Sequence, residues 1–438
     1  MNKKIADGTD IELLDLLQRE SFEYFLHEAD DTTGLVADRT QPGSVASIAA
    51  TGMALSCYVV GVERGYMLRE EAVRITLKLF DFLYSSSQGT EPGATGYKGF
   101  YYHFLDMKTG RRARQCELST MDTAILLAGV LTAQQYFSGE SKEETRIRGL
   151  AAALYARVDW HWALNARESL SHGWTPEKGF IRHRWNRHYS EALLLYVLAL
   201  GSPTFPIPVK GYEKWTSTFE WRNIYGLDYF YAGPLFIHQM SHVWIDFKGI
   251  TDDMNKKYGI DYFENSRRAT MVHQRYAIDN PLGFEGYGEH CWGITACDGP
   301  GPSWELVSGS RRYYYDYKAR GAPYGPDDGT VAPWAVVASL PFAPEIVLAT
   351  TREEMKNGST NKIYHHGFYA SFNPTFRGKG NNPAKAWISE WQYGINQGPI
   401  ILMIENYRSG LVWDLIKNSP CMVAGLRVAG FTGGWLEK

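Results

Sequence analysis

The chain is 438 residues long, with 45 Lys and Arg against 48 Asp and Glu, a net charge of −3 with histidines neutral. A 44% hydrophobic share at so small a charge excludes disorder as the main state, and the missing basic excess excludes nucleic-acid binding driven by general electrostatics. The 14 Trp, 28 Tyr and 20 Phe supply flat apolar faces, many with a polar handle, which suit a large core or a cleft for sugar rings.

The first half predicts helical hairpins. Ile11 to Glu28 sets Leu13, Leu14, Leu17, Phe22 and Phe25 at helical spacing, before a turn-rich loop through Gly34, Pro42 and Gly43. Helices follow over 45–64 and 69–86, the second with Val73, Leu77, Phe80 and Leu83 on one face. After a loop rich in Gly and Tyr, His103 to Arg111 reads as a short strand and turn. Residues 118–137 are apolar nearly all round, as a helix buried on both sides must be. The next helix, 141–162, opens with the capping pattern Ser141-x-x-Glu144 and turns Lys142, Glu143, Arg146 and Arg148 to solvent. Residues 189–200 are again apolar all round, stopped by Gly201-Ser-Pro203. Buried helices alternating with one-faced helices predict an all-α toroid whose mouth is built from loops and helix ends.

The second half predicts helices near 229–245, 253–275, 303–313, 331–340 and 383–394, with a β-hairpin around Ile363 to Phe376. Gly- and Pro-rich stretches at 280–302 and 321–344 are long enough to be functional loops. No internal repeat or linker interrupts the chain, which reads as a single domain over 1–438. The five cysteines are scattered without zinc-ligand spacing, leaving open one bridge, Cys291 to Cys297. The start MNKKIADGTD has no apolar run behind its basic residues, so no signal peptide is expected. The chain is then cytoplasmic, or periplasmic if a signal was trimmed. The longest apolar run, 192–200, is far too short to span a bilayer.

The candidate catalytic acids sit at the starts of the two most buried helices: Asp122 in Leu118-Ser-Thr-Met-Asp122, Glu117 just before it, and Glu191 in His188-Tyr-Ser-Glu191. Each also has a plain structural reading. Ser119-x-x-Asp122 resembles a capping box, and Glu191 behind a capping Ser190 would favour the positive end of the helix dipole. If both helices open on one face, the carboxyls converge. Glycoside hydrolysis needs such a pair, one acid protonated for the leaving oxygen and one carboxylate acting as base or nucleophile.

Longer motifs carry a resemblance. Trp185-Asn-Arg-His-Tyr-Ser-Glu191 with Leu200-Gly-Ser-Pro-Thr204, Gly233 to Asp246, Asn265-Ser-Arg-Arg-Ala269, Trp292 to Asp298, and Asp327-Asp-Gly-Thr-Val-Ala-Pro333 with Ser339 to Glu345 resemble the glucoamylase-like family. That group contains bacterial endo-β-1,2-glucanases (glycoside hydrolase family 144), with related modules in cyclic β-1,2-glucan synthases. The resemblance runs from about residue 10 to the end. It implies an (α/α)6 barrel with minor β-hairpins in its loops, acting on β-1,2-glucan to give sophoro-oligosaccharides, with inversion. It also implies Glu191 as general acid, and places Asp122 and Glu117 on the water side, leaving open which is the base; Asp122 is taken as the preferred partner of Glu191.

Further candidates for substrate binding are His242, Asp246, Arg268, Tyr287, Trp292 and Asp298, the last three on a Gly-rich loop where an aromatic beside a carboxylate suits a sugar. His238-x-x-x-His242 has zinc-helix spacing, but Gln239 stands where a metalloprotease carries Glu, so no metal and no cofactor are expected. Trp387 and Trp391 are spaced for packing on one helix face, and Asn357-Gly-Ser is a glycosylation sequon in form only. The expected partner is a β-glucan oligo- or polysaccharide, bound by a monomer. Two alternatives stay open: a sugar-binding protein without turnover, and a polysaccharide lyase using Tyr and His on the same toroid.

Overall fold

The computed structural model describes residues 8–307, 309–356, 366–377 and 386–437. Cα packing divides the chain into two units interleaved in sequence. One holds Phe25–Phe219, Ser241–Tyr262 and the segment from Ser409 onward; the other holds the chain up to Tyr24, Glu220–Met240 and Phe263–Arg408.

In the first unit the two kinds of helix predicted from hydropathy are both present. Helices Ile48–Glu63 and Thr120–Tyr136 are buried along almost their whole length and pack on each other. Two glycines allow the close approach: a Cβ at Gly52 would lie 2.5 Å from the Leu126 Cα, and one at Gly129 would lie 2.0 Å from the Gly52 carbonyl oxygen. Helix Leu193–Leu200 meets Pro420–Val428 in the same way, a Cβ at Gly425 falling 2.0 Å from the Val197 oxygen. By contrast Arg69–Ser85 and Lys142–Ala156 each bury one face and pair through Arg69 and Glu144 at 2.9 Å. Ser141 caps the second as its sequence requires, accepting from the Glu144 N–H. Glu144 itself reaches Arg69 and the Gly139 N–H, so the reciprocal half of the box is absent.

The second unit carries helices Pro333–Val337, Pro344–Lys356 and the buried Gly394–Arg408, with short hairpins. Its loops are tied by a fully buried ion pair. Arg320 grips Asp328 with two nitrogens at 2.7 and 2.8 Å and also donates to the Cys297, Tyr315 and Asp316 carbonyls.

Several expectations are corrected. Residues 229–245 are not one helix: strand Leu227–Phe230 leads through Gly233-Pro234 into two short 3₁₀ turns, Leu235–His238 and Met240–Val243, so His238 and His242 do not share a helix face. Over 303–313 the expected helix is replaced by strands Ser303–Val307 and Ser310–Tyr314, paired antiparallel, the first alternating in burial with period two. The helix expected over 383–394 begins only at Gly394, and Trp387 lies in a two-residue strand with Ile388, paired with Phe372–Asn373. The 141–162 helix is two, Lys142–Ala156 and Trp160–Leu164. All five cysteines are free thiols, so Cys291 and Cys297 are not bridged. Ile363 and the Asn357 sequon fall outside the described residues. Among the described residues no helix is long and apolar enough to cross a membrane.

Candidate active site

The site is laid out by a small sheet in the first unit. Strands Gly96–Tyr97, Phe100–Tyr102, Leu118–Ser119, Gly173–Thr175 and Gly179–Phe180 pair antiparallel in that order. Because Tyr102 faces Leu118, the next pair along sets His103 opposite Glu117. The His103 N–H donates to the Glu117 carbonyl at 3.0 Å, and its Nδ1 lies 3.0 Å from the Glu117 Oε1. Cross-strand neighbours of opposite charge stabilise such a pair.

Leu118–Ser119 runs directly into helix Thr120–Tyr136, and Ser119 is its N-cap. The Ser119 Oγ accepts the Asp122 N–H at 3.1 Å and donates back to the Asp122 carboxylate. Folded back in this way, Asp122 brings its Oδ1 to 3.6 Å from the His103 Nε2. One imidazole therefore spans two carboxylates, with Phe104 stacked on its ring at 4.0 Å. Burial disfavours a charged ring there, but the Asp122 charge and the Glu117 bond and charge outweigh it and raise His103 to about 9. His103 is thus a cation at neutral pH. Burial acts to raise Glu117 as well, yet its bond to His103 holds the carboxyl below the usual range. Asp38 joins the cluster electrostatically; burial lifts its carboxyl, against the charges of Arg39, Arg114 and His103.

Gly173–Thr175 continues the sheet beyond Leu118–Ser119 and carries the 172–190 segment past the start of the Thr120 helix. The Thr120 hydroxyl donates to the Ser171 carbonyl at 2.8 Å and accepts from the Trp185 Nε1 at 3.1 Å. Trp185 stacks on His172 with ring centroids 3.7 Å apart. The segment delivers Glu191, half-buried, ahead of helix Leu193–Leu200. That helix starts later than the hydropathy predicts: its N-cap is Ala192, and Ser190 makes only a local bond to the Ala192 N–H. The helix end is capped from elsewhere in the chain, since the Ser241 Oγ accepts the Leu194 N–H at 3.1 Å and donates to the Glu191 carbonyl at 2.8 Å. Burial pushes the Glu191 carboxyl up to about 7, a backbone hydrogen bond opposing it and the Asp122 charge adding to it. Beside it opens a cavity of about 850 Å³, with Arg167, His172, Arg182, His183, Arg187 and Ser190 among its walls.

The three sequence-predicted acids are thus gathered in one unit, with His103 and Asp38 as additions that sequence reasoning missed. Neither had a local signal, because the pairing of His103 with Glu117 depends on strand register. The remaining candidates make other contacts. His242 is buried, its carbonyl accepting from the Trp413 indole at 2.7 Å. Asp246 pairs with Lys417 at 2.8 Å, and Arg268 with Glu264 at 2.7 Å. Tyr287 donates to Asp327 at 2.7 Å. Trp292 has 0% exposure and donates to the Thr350 hydroxyl, so it offers no face to a sugar; it reads as core rather than subsite. Asp298 accepts from Tyr393 at 2.6 Å.

Residues 182–420, more than half of the chain, match the family described as Glycoamylase ("Putative glucoamylase"). The chain belongs to this family. A curated relative from Parabacteroides distasonis, named exo beta-1,2-glucooligosaccharide sophorohydrolase (non-reducing end), is 30% identical over 453 residues. The match covers 96% of this glycoamylase-family chain, which spans 58% of the relative's length. A solved structure from Bacteroides uniformis, described as a "putative glucoamylase", shares 32% identity at a TM-score of 0.84, covering 98% of this chain and 99% of that one. The endo-beta-1,2-glucanase of Chitinophaga pinensis, solved with sophorotriose and glucose, shares 26% identity at a TM-score of 0.82, covering 98% and 100%. With these relatives the glycoamylase-family chain has the all-α, (α/α)6 toroid fold, its sheets confined to short strands in loops.

Proposed function

We infer that this protein is a glycoside hydrolase that cleaves β-1,2-glucan to sophoro-oligosaccharides by general acid/base catalysis, with inversion. The observation that carries the reading is the contrast between Glu191, lifted to about 7, and Asp122, held by Ser119 and facing the His103 cation. A carboxyl near 7 still holds its proton in about half the molecules at neutral pH, as a general acid must. In this reading Glu191 protonates the glycosidic oxygen as the bond from C1 breaks. Water attacks C1 from the opposite face and gives its proton to Asp122. Glu117 keeps His103 in place, and His103 orients Asp122. The activities of the Parabacteroides and Chitinophaga relatives support β-1,2-linked glucose as the substrate.

Residues 1–438 are taken to act as a single catalytic domain, since neither unit is a continuous stretch of chain, and the proposed state is a monomer. The test is product analysis after incubation with linear β-1,2-glucan beside starch and β-1,3-glucan. Sophoro-oligosaccharides from the first substrate alone are expected. A ladder of sizes marks endo action and sophorose alone exo action, while the anomer first formed, read by NMR, tests inversion. No cleavage of β-1,2-glucan would overturn the reading.

A further inference from the structure

Residues 181–188 read Ile-Arg-His-Arg-Trp-Asn-Arg-His, and with Arg167 they bring four arginines and a histidine to the walls of the cavity beside Glu191. Arg184 is used by the protein itself, donating to the Leu164 carbonyl at 2.7 Å and the Ser169 hydroxyl at 3.1 Å. Arg167, Arg182 and Arg187 are exposed, and their guanidinium groups have no ion pair or hydrogen bond among the described residues. Of the acids nearest in sequence, Glu191 is lifted toward its neutral form, and the other two are engaged elsewhere. Glu168 lies between Lys210 and Lys214 at 2.9 and 2.8 Å, and Glu177 pairs with Arg112 at 2.6 Å. His172 does not add to the charge, because burial and the neighbouring His183 lower it to about 4.

Like charges gathered in a concave site without ion-pair partners raise its potential and attract anions. Guanidinium forks match the oxygen geometry of phosphate and carboxylate. A general surface patch would not need walls, and these walls also include Phe180, Ile181 and Trp185, an apolar lining of the kind that sugar rings meet. Ser190 belongs to the same wall and immediately precedes Glu191.

We propose that this cavity is a subsite for an oxyanion carried on the glucan, a phosphate ester or an acid-bearing acyl group on a glucose unit near the cleaved linkage. The inference rests on the hydrolase reading for its location and goes beyond it in substrate class: the preferred chain is anionic rather than neutral.

The test is calorimetric binding of matched sophoro-oligosaccharides to Glu191→Gln protein, one neutral, one phosphorylated and one carrying a hemisuccinate. At low salt the charged compounds bind about 10-fold tighter than the neutral one. The preference shrinks toward parity in about 0.5 M salt and is lost in Arg182→Ala/Arg187→Ala. The ratio of the two charged ligands tells phosphate from carboxylate. Equal affinity of all three, or a preference that survives both salt and the double variant, overturns the subsite. Parallel assays of the unaltered enzyme on neutral and phosphorylated glucan separate the two ideas. Binding preference without any cleavage sinks the hydrolase reading and keeps the anion subsite, and cleavage without preference does the reverse.

Discussion

Asp327 and Asp328 in one unit, and Glu117 and Asp122 in the other, are neighbouring carboxylates beside aromatic-rich loops, but they have different partners. Asp328 is met on both oxygens by Arg320 and accepts the Tyr315 and Thr330 N–H groups. Asp327 accepts from Tyr276, Tyr287 and the Gly329 N–H. Arg320, two tyrosines and three backbone N–H groups meet these two carboxylates, so the pair braces the loops around it. Asp122 has one serine and faces a histidine cation across 3.6 Å, while Glu191 is a half-buried carboxyl with a raised pKa and a cavity alongside. Asp327, Asp328 and Glu191 all stand in motifs that resemble the family, so motif membership does not by itself mark a catalytic acid. The donors around each oxygen do.

Substitutions should separate the two regions sharply. Glu191→Gln is expected to lower kcat on β-1,2-glucan about 10³-fold while leaving the melting temperature unchanged; a variant with normal turnover would remove Glu191 from the mechanism. Asp328→Ala should do the opposite first, costing about 3–5 kcal/mol of stability because the buried Arg320 loses its counter-charge. Urea denaturation measures that loss, and a variant as stable as the parent would mean that Asp328 is no brace.

pH sharpens the contrast further. Glu191 must be protonated to act, so kcat/KM should fall along an alkaline limb centred at about 7. A limb displaced above 9 would point to a different acid. His103, which orients Asp122, gives the smallest of the stability effects. Its pKa is raised in the folded protein, so its contribution is complete below about 6.5 and is lost as pH rises through about 9. Comparing the parent with His103→Gln by denaturation at both ends should show a gap of about 1–2 kcal/mol in acid that closes in base. A gap independent of pH would mean that the ring acts by packing alone.

Much of the helical framework was legible because its signals are local. The apolar run through Ala124 to Leu131 and the one-faced pattern through Val73 to Leu83 each name their own surroundings. The buried helix Gly394–Arg408 was missed because Gly394, Gly398 and Pro399 look like helix breakers, and only enclosure by neighbouring elements overrides them. The hairpin through Trp304 and Tyr313 was mistaken for a helix because its charged residues blur a period of two. At the site, the acids could be picked out by their position before apolar runs. His103 could not, since nothing in its neighbours along the chain announces Glu117 across the sheet. The arginines of 181–188 drew no expectation from the sequence, because their lack of ion-pair partners is a property of the folded chain alone.

The Ser241 hydroxyl links the Glu191 carbonyl to the first turn of the following helix from 50 residues farther along the chain. During synthesis, therefore, the segment bearing the acid emerges well before the group that anchors it. A chain arrested between the two would contain every proposed catalytic carboxylate and still lack the bond that fixes the perch of one of them. Assembly of the site waits on translation, and a ribosome stalled in that interval holds a protein with its acid present but not yet aimed.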